Sequence, residues 1–456
     1  MSLLRPAAPL DLSPASAARA RRHMLGLYLL LGLTVATWLA RYPAVRDALD
    51  LTAAELGRIL LVGALGSLAT VFIAGGVVTR FGSRRVLVWS AGIFTTGAIL
   101  LGVGPTIGSV PVLVAGIVLQ SVSFALGNVP LNVETVTIER AMGRSVVPHF
   151  HAAFSIGSVV GSGIGALAAW AEVPVLIQFS VVGLAALAWR LVAIPVSVLP
   201  VPAAPGVAID PDAPVTPARR GAGLRTALAG WREPRTLLVG LIVMAAALSE
   251  GTANNWVTLA VVDGFAASEA VAALTFGAFV AAMAGSRLLG TRLIDRFGPV
   301  TVIAASGASG LAGLLLFVLS PGLPGAVAGV VLWGMGAGLP FPIAMTAVSQ
   351  DPLRAAGRVA VVSAFASVAS LAAPPLLGLL AESVGIRTAL LAISWALALS
   401  IALARVVRPE VPAATPEDAP AVPSQAGPGD VVGGGQGPVP AGGPVDQALQ
   451  PAGAAR

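Results

Sequence analysis

The chain has 456 residues, of which 56% are hydrophobic and only 11% are charged, whereas a soluble domain carries roughly a quarter charged residues. This composition excludes an ordinary water-soluble protein. The net charge of +6 rests on 27 basic residues, all of them arginine, and cysteine is absent. Disulfide and thiolate chemistry are therefore excluded, and without lysine a Walker-type ATP site is excluded as well.

The elements begin with a polar, basic segment at residues 1–23 that runs into an apolar span without a clear cleavage site, which predicts an uncleaved signal anchor. The chain contains twelve apolar stretches in all, and most reach the roughly 17 to 25 helical residues that cross a hydrocarbon core of about 30 Å. They are apolar around their whole circumference, whereas barrel strands would alternate. The predicted spans are Met24 to Ala40, Leu56 to Val78, Val86 to Gly104, Val110 to Val133, Ala152 to Ala171, Val175 to Leu199, Leu237 to Leu259, Val271 to Gly290, Val300 to Leu319, Ala326 to Ser349, Val359 to Ala381 and Ala389 to Val407. The sequence thus predicts an all-α membrane protein with twelve transmembrane helices.

The arginines indicate the orientation of these spans, because cytoplasmic loops carry an excess of basic residues. With the N-terminus inside, few arginines face outward, namely Arg41, Arg46, Arg58 and Arg387. All the others then lie on the inner side. We therefore expect a protein of the cell inner (cytoplasmic) membrane with both termini in the cytoplasm. This topology accounts for the positive charge, and no nucleic-acid partner is expected.

Two segments stand outside the spans. Residues 200–235 are rich in proline and alanine and end in a run of arginines, which predicts a cytoplasmic linker. Residues 409–456 form a tail of proline, glycine and alanine with too few large apolar residues to fold, so disorder is expected there. The linker and the tail leave two membrane portions, at 24–199 and 236–408.

A short turn occurs once in each membrane portion. Thr79-Arg80-Phe81-Gly82 follows the second span and Asp295-Arg296-Phe297-Gly298 follows the eighth, which indicates an organisation of six spans plus six. Glycine allows the tight backbone of such a turn, and arginine holds the helix ends at the lipid headgroups. A purely structural turn and a gating role both agree with these residues.

The repeated turn resembles the hallmark loop of the major facilitator superfamily, G-x-x-x-D-R-x-G-R-R between helices two and three with an echo between helices eight and nine. The matching residues are Gly75, Arg80, Gly82, Arg84 and Arg85 in the first copy and Asp295, Arg296 and Gly298 in the second. This resemblance covers the chain from Met24 to Val407 and implies two pseudo-symmetric six-helix bundles, with the matching residues at a cytoplasmic gate. Thr79 stands in place of the family's acidic residue, so the usual charge-charge latch is in doubt.

Further segments are similar to a bacterial branch near the fucose:proton symporter type permeases. They are Trp38-Leu39-Ala40-Arg41-Tyr42-Pro43, Asn132 with Glu139, Phe150-His151-Ala152 with Ser155-Ile156-Gly157, and Glu250-Gly251 with Trp256. The resemblance implies a gate or proton-relay role for His151. Relatives carry a carboxylate where this chain has Asn255 and another near Gly127 and Asn128, so neither carboxylate is carried over to this chain.

Glycine and proline interrupt corresponding spans of the two portions. Span four contains Gly127-Asn128-Val129-Pro130-Leu131-Asn132, and span ten contains several glycines with Pro340 and Pro342. Proline frees the carbonyl one turn back, so we expect kinks that turn polar backbone toward a cavity, with simple helix bending as the alternative. Asn128 and Asn132 are the candidate ligands there. The glycines of span five, at 157, 161, 163 and 165, are expected to serve close helix packing.

Glu250 is an ionisable residue inside a span, where an unpaired charge is costly unless it faces a cavity or a partner. It lies roughly 21 Å along a helix that enters from the cytoplasm. Asn254 shares its face, and Asn255 and Trp256 follow. We expect Glu250 to exchange a proton and to pair with Arg41 across the cavity mouth. In the alternative, Arg41 reaches the outer headgroups and Glu250 is a structural hydrogen-bonding group.

These observations predict a secondary active transporter that moves a small solute by alternating access, with protons as the coupling ion. Its expected partners are a small-molecule substrate, protons and the lipid bilayer, and a monomer without cofactor or metal is expected. A membrane sensor or scaffold that keeps the fold without turnover is the alternative. An enzyme is not expected, since the sequence shows no convergent set of acid, base and nucleophile.

Overall fold

The computed structural model describes residues 14–143, 146–199, 230–350 and 354–408, and these ranges consist of helices joined by short turns. The predicted linker at 200–235, apart from its last residues, lies outside the described residues. The predicted tail at 409–456 also lies outside them. Nothing in the four described ranges forms a β-strand.

The helices have the following bounds. The N-terminal helices are α1 (Pro14–Leu39), α2 (Tyr42–Ala48), α3 (Ala53–Phe81), α4 (Ser83–Thr106), α5 (Val110–Met142), α6 (Val147–Trp170) and α7 (Val175–Ser197). The C-terminal helices are α8 (Pro234–Phe265), α9 (Glu269–Leu319), α10 (Leu323–Ala337), α11 (Pro340–Val348), α12 (Ala355–Val384), α13 (Ile386–Ala389) and α14 (Ser394–Ala402), followed by a 3-10 turn at Ala404–Val407.

Ten helical stretches in the described residues are long and apolar enough to cross a membrane, which confirms the prediction of an all-α membrane protein. α9 joins the predicted eighth and ninth spans, but its backbone leaves the helical region at Gly298. The last predicted span is shorter than expected, at Ile386–Ala402. The first helix begins at Pro14 and thus extends ten residues before the predicted start of the first span at Met24.

Short turns join the successive long helices, so neighbours along the chain run in opposite directions and the helix ends collect into two layers. We name these layers by one residue each. The Arg41 end contains α2 with the turns at 40–41 and 49–52 on either side of it, and the turns at 107–109, 171–174, 266–268, 320–322 and 385. The Arg80 end contains, among described residues, the turn and helix-terminal positions 82, 143, 146, 230–233, 298, 349–350 and 354.

The repeated turn has the same geometry in both copies. Gly82 has φ 81 and ψ 151, and Gly298 has φ 76 and ψ 158, a backbone region that is essentially restricted to glycine. In each copy the arginine guanidinium lies 5.3 Å from the ring centre of the following phenylalanine, Arg80 over Phe81 and Arg296 over Phe297. The sequence repeat is therefore a repeat of local structure.

Glycines bring α1 and α6 into backbone contact. A Cβ added to Gly157 would overlap the carbonyl of Leu29, and one added to Gly161 would overlap the carbonyl of Leu33. By contrast, Gly163 has no neighbour within 4 Å. The prediction of close packing is thus confirmed for the first two glycines and is wrong for Gly163.

The two proline-containing spans behave differently. α5 continues through Pro130 without interruption, whereas the predicted tenth span is divided at Gly338 and Leu339 into α10 and α11. The tenth span contains two prolines two residues apart, at 340 and 342, so the helix loses the hydrogen bonds that both positions would donate within one turn. One proline in α5 removes a single bond, which the helix tolerates.

The N-terminal and C-terminal helices meet most closely at the Arg41 end. α3 contacts α12 there, where a Cβ on Gly57 would lie 2.5 Å from the carbonyl oxygen of Pro374. α6 contacts α9, where a Cβ on Gly277 would lie 3.3 Å from the Cβ of Ser162. A large apolar cluster fills this end with buried side chains from both sets of helices, including Leu39, Tyr42, Leu56, Trp256, Phe276, Phe279, Trp333 and Leu377.

Candidate functional site

An ion pair lies at mid-depth among the C-terminal helices. Arg287 of α9 donates from Nη2 to Oε2 of Glu250 in α8 over 3.0 Å, and both side chains are about 30% exposed, at 31% and 30%. Arg287 also donates from Nε to the carbonyl of Gly338 over 3.1 Å. One guanidinium therefore links α8, α9 and the interruption between α10 and α11.

The carbonyl of Gly338 is available to Arg287 because of proline. In a continuous helix the N–H of residue 342 would donate to this carbonyl, but Pro342 has no N–H. The predicted freeing of a carbonyl one turn before a proline is thus observed in α10 and α11. Interrupted helices that present free backbone groups at mid-depth are typical of transport sites.

A polar network on the N-terminal helices faces this ion pair. Tyr28 donates to Oδ1 of Asn132 over 3.3 Å, and Asn132 donates to the carbonyl of Asn128 over 2.9 Å and to its side-chain oxygen. The ring of His151 stands edge-on to Tyr28 at 5.7 Å. The charge of Arg287 acts on the His151 ring, so these two side chains, one from each set of helices, lie near one another.

A cavity of about 290 Å³ continues from this network into the N-terminal helices. Aliphatic and aromatic side chains line most of it, with a few polar groups among them. Its lining includes Leu27, Leu31, Thr34, Trp38, Ser67, Ser90, Phe94, Gln120, Ser121, Ser123, Asn128 and Arg190. Largely apolar walls with few polar groups are the usual composition of a small-molecule site, and the volume is near the lower limit of the usual range of roughly 300 to 1,000 Å³.

Arg190 is the residue of this cavity that the sequence analysis overlooked. The positive-inside argument assigned it to the inner side, but it lies within α7 and is only 8% exposed. Its guanidinium carbon lies 4.3 Å from the centre of the Phe94 ring. The signal was present in the sequence, because Arg190 interrupts an apolar stretch between Val175 and Leu199.

Arg41 closes the far end of the molecule and does not contact Glu250. Its Nε donates to Oε1 of Glu269 over 2.7 Å, its Nη1 to Oε1 of Gln178 over 2.5 Å, and its Nη2 to the carbonyl of Val173 over 3.1 Å. The predicted pair of Arg41 with Glu250 is therefore wrong. Glu269, the carboxylate that Arg41 binds, lies in α9, the helix that follows α8 along the chain.

The error was one of depth along α8. Thr258 of α8 donates to the carbonyl of Leu39 over 3.4 Å, and Asp263 binds Arg46 of α2 through both carboxylate oxygens at 2.5 and 2.9 Å. Residues at 258–263 thus lie level with Arg41. Glu250 is at least two helical turns deeper.

The other candidates on α8 are placed differently from one another. Asn254 is half-buried one turn from Glu250. Asn255 accepts a hydrogen bond from the Tyr42 hydroxyl at 3.5 Å and so belongs to the closed Arg41 end. Trp256 is 1% exposed within the apolar cluster, so it packs in the core and does not line the cavity.

The residues predicted for a gate lie at the Arg80 end, apart from His151, which lies in the polar network. Gly75 is inside α3 and has no neighbour within 4 Å, and Gly82 and Gly298 form the repeated turns. Within the described ranges, no ion pair is formed by the charged members of this set, Arg80, Arg84, Arg85, Asp295 and Arg296. These five residues thus form no charge latch with one another or with other described residues.

A polar site enclosed by membrane-length helices defines a multi-pass membrane protein that binds a small solute, and comparison with known proteins agrees. The sequence profile of the Major Facilitator Superfamily matches residues 24–360 and 239–440, and the chain belongs to this superfamily of secondary transporters. The uncharacterized transporter y4wD of Sinorhizobium fredii (strain NBRC 101917 / NGR234) is 33% identical over 383 residues, which cover 84% of this chain and 96% of that protein. Membrane protein MosC of Rhizobium meliloti is 26% identical over 361 residues, with coverages of 79% and 83%.

Solved structures show the same fold. The nucleoside transporter NupG superposes with a TM-score of 0.65 at 15% identity, covering 86% of this chain and 100% of that one. FucP in its outward conformation superposes with a TM-score of 0.61 at 15% identity, covering 87% and 100%. The superfamily resemblance drawn from the repeated turn is confirmed, and the branch near the fucose permeases stays a prediction.

Proposed function

We propose that this secondary transporter moves a small solute across the cytoplasmic membrane by alternating access and couples that movement to protons. The observation that carries the proposal is the presence of two sets of polar side chains at mid-depth, one on the N-terminal helices and one on the C-terminal helices. Tyr28, Asn132 and His151 on the N-terminal helices face Glu250 and Arg287 on the C-terminal helices. A solute bound there contacts both sets of helices at once, as rocking of one set against the other requires.

The architecture we propose is a monomer of twelve transmembrane helices in two bundles, at 24–199 and 236–408. Ten stretches meet the length and apolarity of a span, the break at Gly298 divides one of them into two, and Ile386–Ala402 supplies the last. The repeated turns support the division into equivalent halves. The distribution of arginine supports placing the Arg80 end and both termini in the cytoplasm.

The conformation is inward-facing in this proposal. At the Arg41 end, the pairs Arg41 with Glu269 and Arg46 with Asp263 join the two sets of helices. At the opposite end of α3, a Cβ added to Gly75 or Gly76 would meet no atom of another helix within 4 Å. The helices therefore converge at the outer side and diverge at the inner side, which leaves the mid-depth site open to the cytoplasm.

Glu250 is the proton carrier in this scheme. A carboxylate in a membrane releases its proton more readily while a cation is beside it and retains the proton when that cation is drawn away. Arg287 is shared between Glu250 and the Gly338 carbonyl, so a solute that competes for the guanidinium weakens its hold on Glu250. Solute binding and protonation of Glu250 are coupled in this way.

Cysteine labelling tests alternating access, and the natural chain has no cysteine that would interfere. The variants Ser67→Cys and Ser121→Cys line the cavity. We expect a membrane-impermeant maleimide to label both in inverted vesicles and to label them far less in intact cells. Arg58→Cys at the Arg41 end serves as the control that is labelled only in intact cells. Strong labelling of the cavity variants from outside in the resting protein would contradict the inward-facing assignment.

Transport in proteoliposomes tests proton coupling. A panel of small solutes is screened for uptake and efflux with and without an imposed pH gradient, and we expect the gradient to accelerate movement of the solute that is carried. Glu250→Gln should lose at least about tenfold of the gradient-driven rate while keeping solute exchange at equal pH. Glu382→Gln, an exposed glutamate at the Arg41 end, is the matched control. Wild-type acceleration in Glu250→Gln would remove Glu250 from the mechanism.

A further inference from the structure

We propose that the transported solute is a small organic anion and that Arg190 binds its negatively charged group. This inference rests on the proposed transport function and adds the class of solute. Arg190 combines three properties that no other described arginine combines. It is more than nine-tenths buried, it lines the cavity, and it has no carboxylate partner among the described residues.

The other described arginines that are less than a tenth exposed, Arg41 and Arg358, show what a satisfied guanidinium looks like in this protein, and so does the partly exposed Arg287. Arg41 is 4% exposed and is paired with Glu269, and Arg287 is paired with Glu250. Arg358, at 6% exposure, is paired with Glu233. In each case the chain supplies a carboxylate, and among the described arginines that are less than a tenth exposed Arg190 alone lacks one.

An uncompensated charge in a membrane-embedded site costs several kcal/mol, so it is normally paired or faces a cavity. The Phe94 ring at 4.3 Å offsets part of this cost, since a desolvated cation–π contact is attractive. It does not use the N–H donors of the guanidinium, which lie in a plane and suit the two oxygens of a carboxylate or phosphate. The N–H donors of Arg190 in this wall of the cavity therefore await an acceptor, and an anion would supply it.

The remaining polar groups that line the cavity are uncharged, and most of them are engaged in hydrogen bonds within the protein. Ser90 and Ser123 each donate to the other's carbonyl, at 2.9 and 2.8 Å. Gln120 donates to the carbonyl of Phe94 over 3.3 Å, which fixes the backbone that carries the ring under Arg190. Asn128 accepts from Asn132. Arg190 is the one charged residue among the described residues that line the cavity, which therefore offers one anionic subsite beside apolar groups such as Leu31 and Ile194.

Thermal stabilisation of the purified full-length protein in detergent tests the inference, because a ligand that binds the folded state raises the unfolding midpoint. The probes are three anions with neutral counterparts of similar size: lactate with lactamide, gluconate with glucose, and glycerol 3-phosphate with glycerol, at equal ionic strength. We expect at least one anion to stabilise the wild type and its neutral counterpart not to do so. Comparison of the carboxylates with the phosphate ester then identifies the charged group.

The variants localise the effect. Arg190→Gln should weaken binding of the stabilising anion about ten- to hundredfold, the range of a lost charge-assisted hydrogen-bonded contact. Arg190→Lys keeps the charge but not the fork, and should bind with intermediate affinity even if the glutamine variant does not fold. Arg58→Gln, which removes an exposed arginine, should bind as the wild type does.

Three results would overturn the anion assignment. They are the absence of stabilisation by every anion, equal stabilisation by the neutral counterparts, and wild-type anion affinity in Arg190→Gln or Arg190→Lys. The labelling of Ser67→Cys and Ser121→Cys tests alternating access without any solute. If the labelling is as expected but no anion stabilises the protein, the anion assignment is refuted and alternating access still stands.

Discussion

Arg287 holds Glu250 with one end of its guanidinium and the Gly338 carbonyl with the other, at 3.0 and 3.1 Å. The carboxylate and the carbonyl belong to different helices, and the carbonyl is free only because Pro342 has no N–H to donate to it. Both members of the ion pair are about 30% exposed, so a proton or a solute reaches them without dismantling the core. The pair therefore connects a titratable group to an interrupted helix.

The contribution of this ion pair to the stability of the protein can be measured separately from its role in transport. Arg287→Met leaves Glu250 without its cation and should destabilise the protein by about 1 to 3 kcal/mol, between the values for exposed and buried pairs. The double variant Arg287→Met with Glu250→Gln removes both charges and should recover most of that loss. Unfolding midpoints in detergent for the single and double variants form the cycle. Strictly additive losses would show that the two side chains do not interact.

Packing of α1 against α6 predicts opposite outcomes for two neighbouring glycines. Gly161→Ala places a methyl group against the Leu33 carbonyl and should destabilise the protein by about 1 to 3 kcal/mol. Gly163→Ala meets no neighbour within 4 Å and should be neutral or slightly stabilising, because alanine is the better helix former. Unfolding midpoints check both variants. Equal losses in the two variants would argue against the backbone contact.

The repeated turn predicts a similar contrast between two glycines of the motif. Gly82 has φ 81 and ψ 151, where a side chain costs about 1 to 3 kcal/mol, so Gly82→Ala should lower the unfolding midpoint. Gly75→Ala lies in helical backbone with free space around it and should leave the midpoint unchanged. Gly298→Ala should match Gly82→Ala, since the backbone is the same. A harmless Gly82→Ala would mean that the turn relaxes to another conformation.

A disulfide between α6 and α9 should lock the Arg41 end. A Cβ on Gly277 would lie 3.3 Å from that of Ser162, close to the roughly 3.5 to 4.5 Å of disulfides. Oxidation of Ser162→Cys with Gly277→Cys should abolish transport by holding the outer side closed, and a reductant should restore it. The two single variants are the controls for the substitutions themselves. Full transport by the oxidised double variant would contradict opening at this end.

An acidic residue at the Arg80 end predicts a dependence of stability on pH. Glu233 precedes α8 and accepts from Arg358 at 2.7 Å and from Thr236 at 2.9 Å. Burial raises the pKa of Glu233, but these hydrogen bonds, with the charges of Arg358 and Arg354, outweigh it and hold the pKa below its ordinary value of 4.5. A lowered pKa means that the ionised carboxylate stabilises the fold. That contribution is complete above 4.5 and is lost as the pH falls through the folded-state pKa.

The measurement compares wild type with Glu233→Gln. The variant should have a lower unfolding midpoint at neutral pH, and the difference should shrink as the pH falls below 4.5, where the wild-type carboxylate becomes protonated. Glu382→Gln, which alters an exposed glutamate, should show little difference from wild type at either pH. A gap between wild type and Glu233→Gln that does not change with pH would mean that the packing of the side chain matters more than its charge.

The amino-acid sequence by itself determined the class of this protein. Long apolar stretches, scarce charges and clustered arginines follow from the low solubility of polar groups in lipid, so they are readable without any structure. The repeated turn was equally readable, because the conformation of Gly82 and Gly298 is local and glycine is the residue that adopts it. The same holds for Pro342, whose missing N–H frees a carbonyl at a fixed distance along the chain.

Only the tertiary structure decided which side chains meet. Arg41 pairs with Glu269 and not with Glu250, because relative depth along two helices depends on tilt and on turn length, which spacing within one helix does not report. Likewise, the packing of α8 against its neighbours decides that Trp256 lies in the core and not in the cavity wall, which the sequence does not report. Arg190 looked like one more inward-facing arginine until the fold placed it against Phe94 in a cavity wall. Pairing across helices is a property of the packed bundle, since residues distant in sequence are brought together by the apolar surfaces around them.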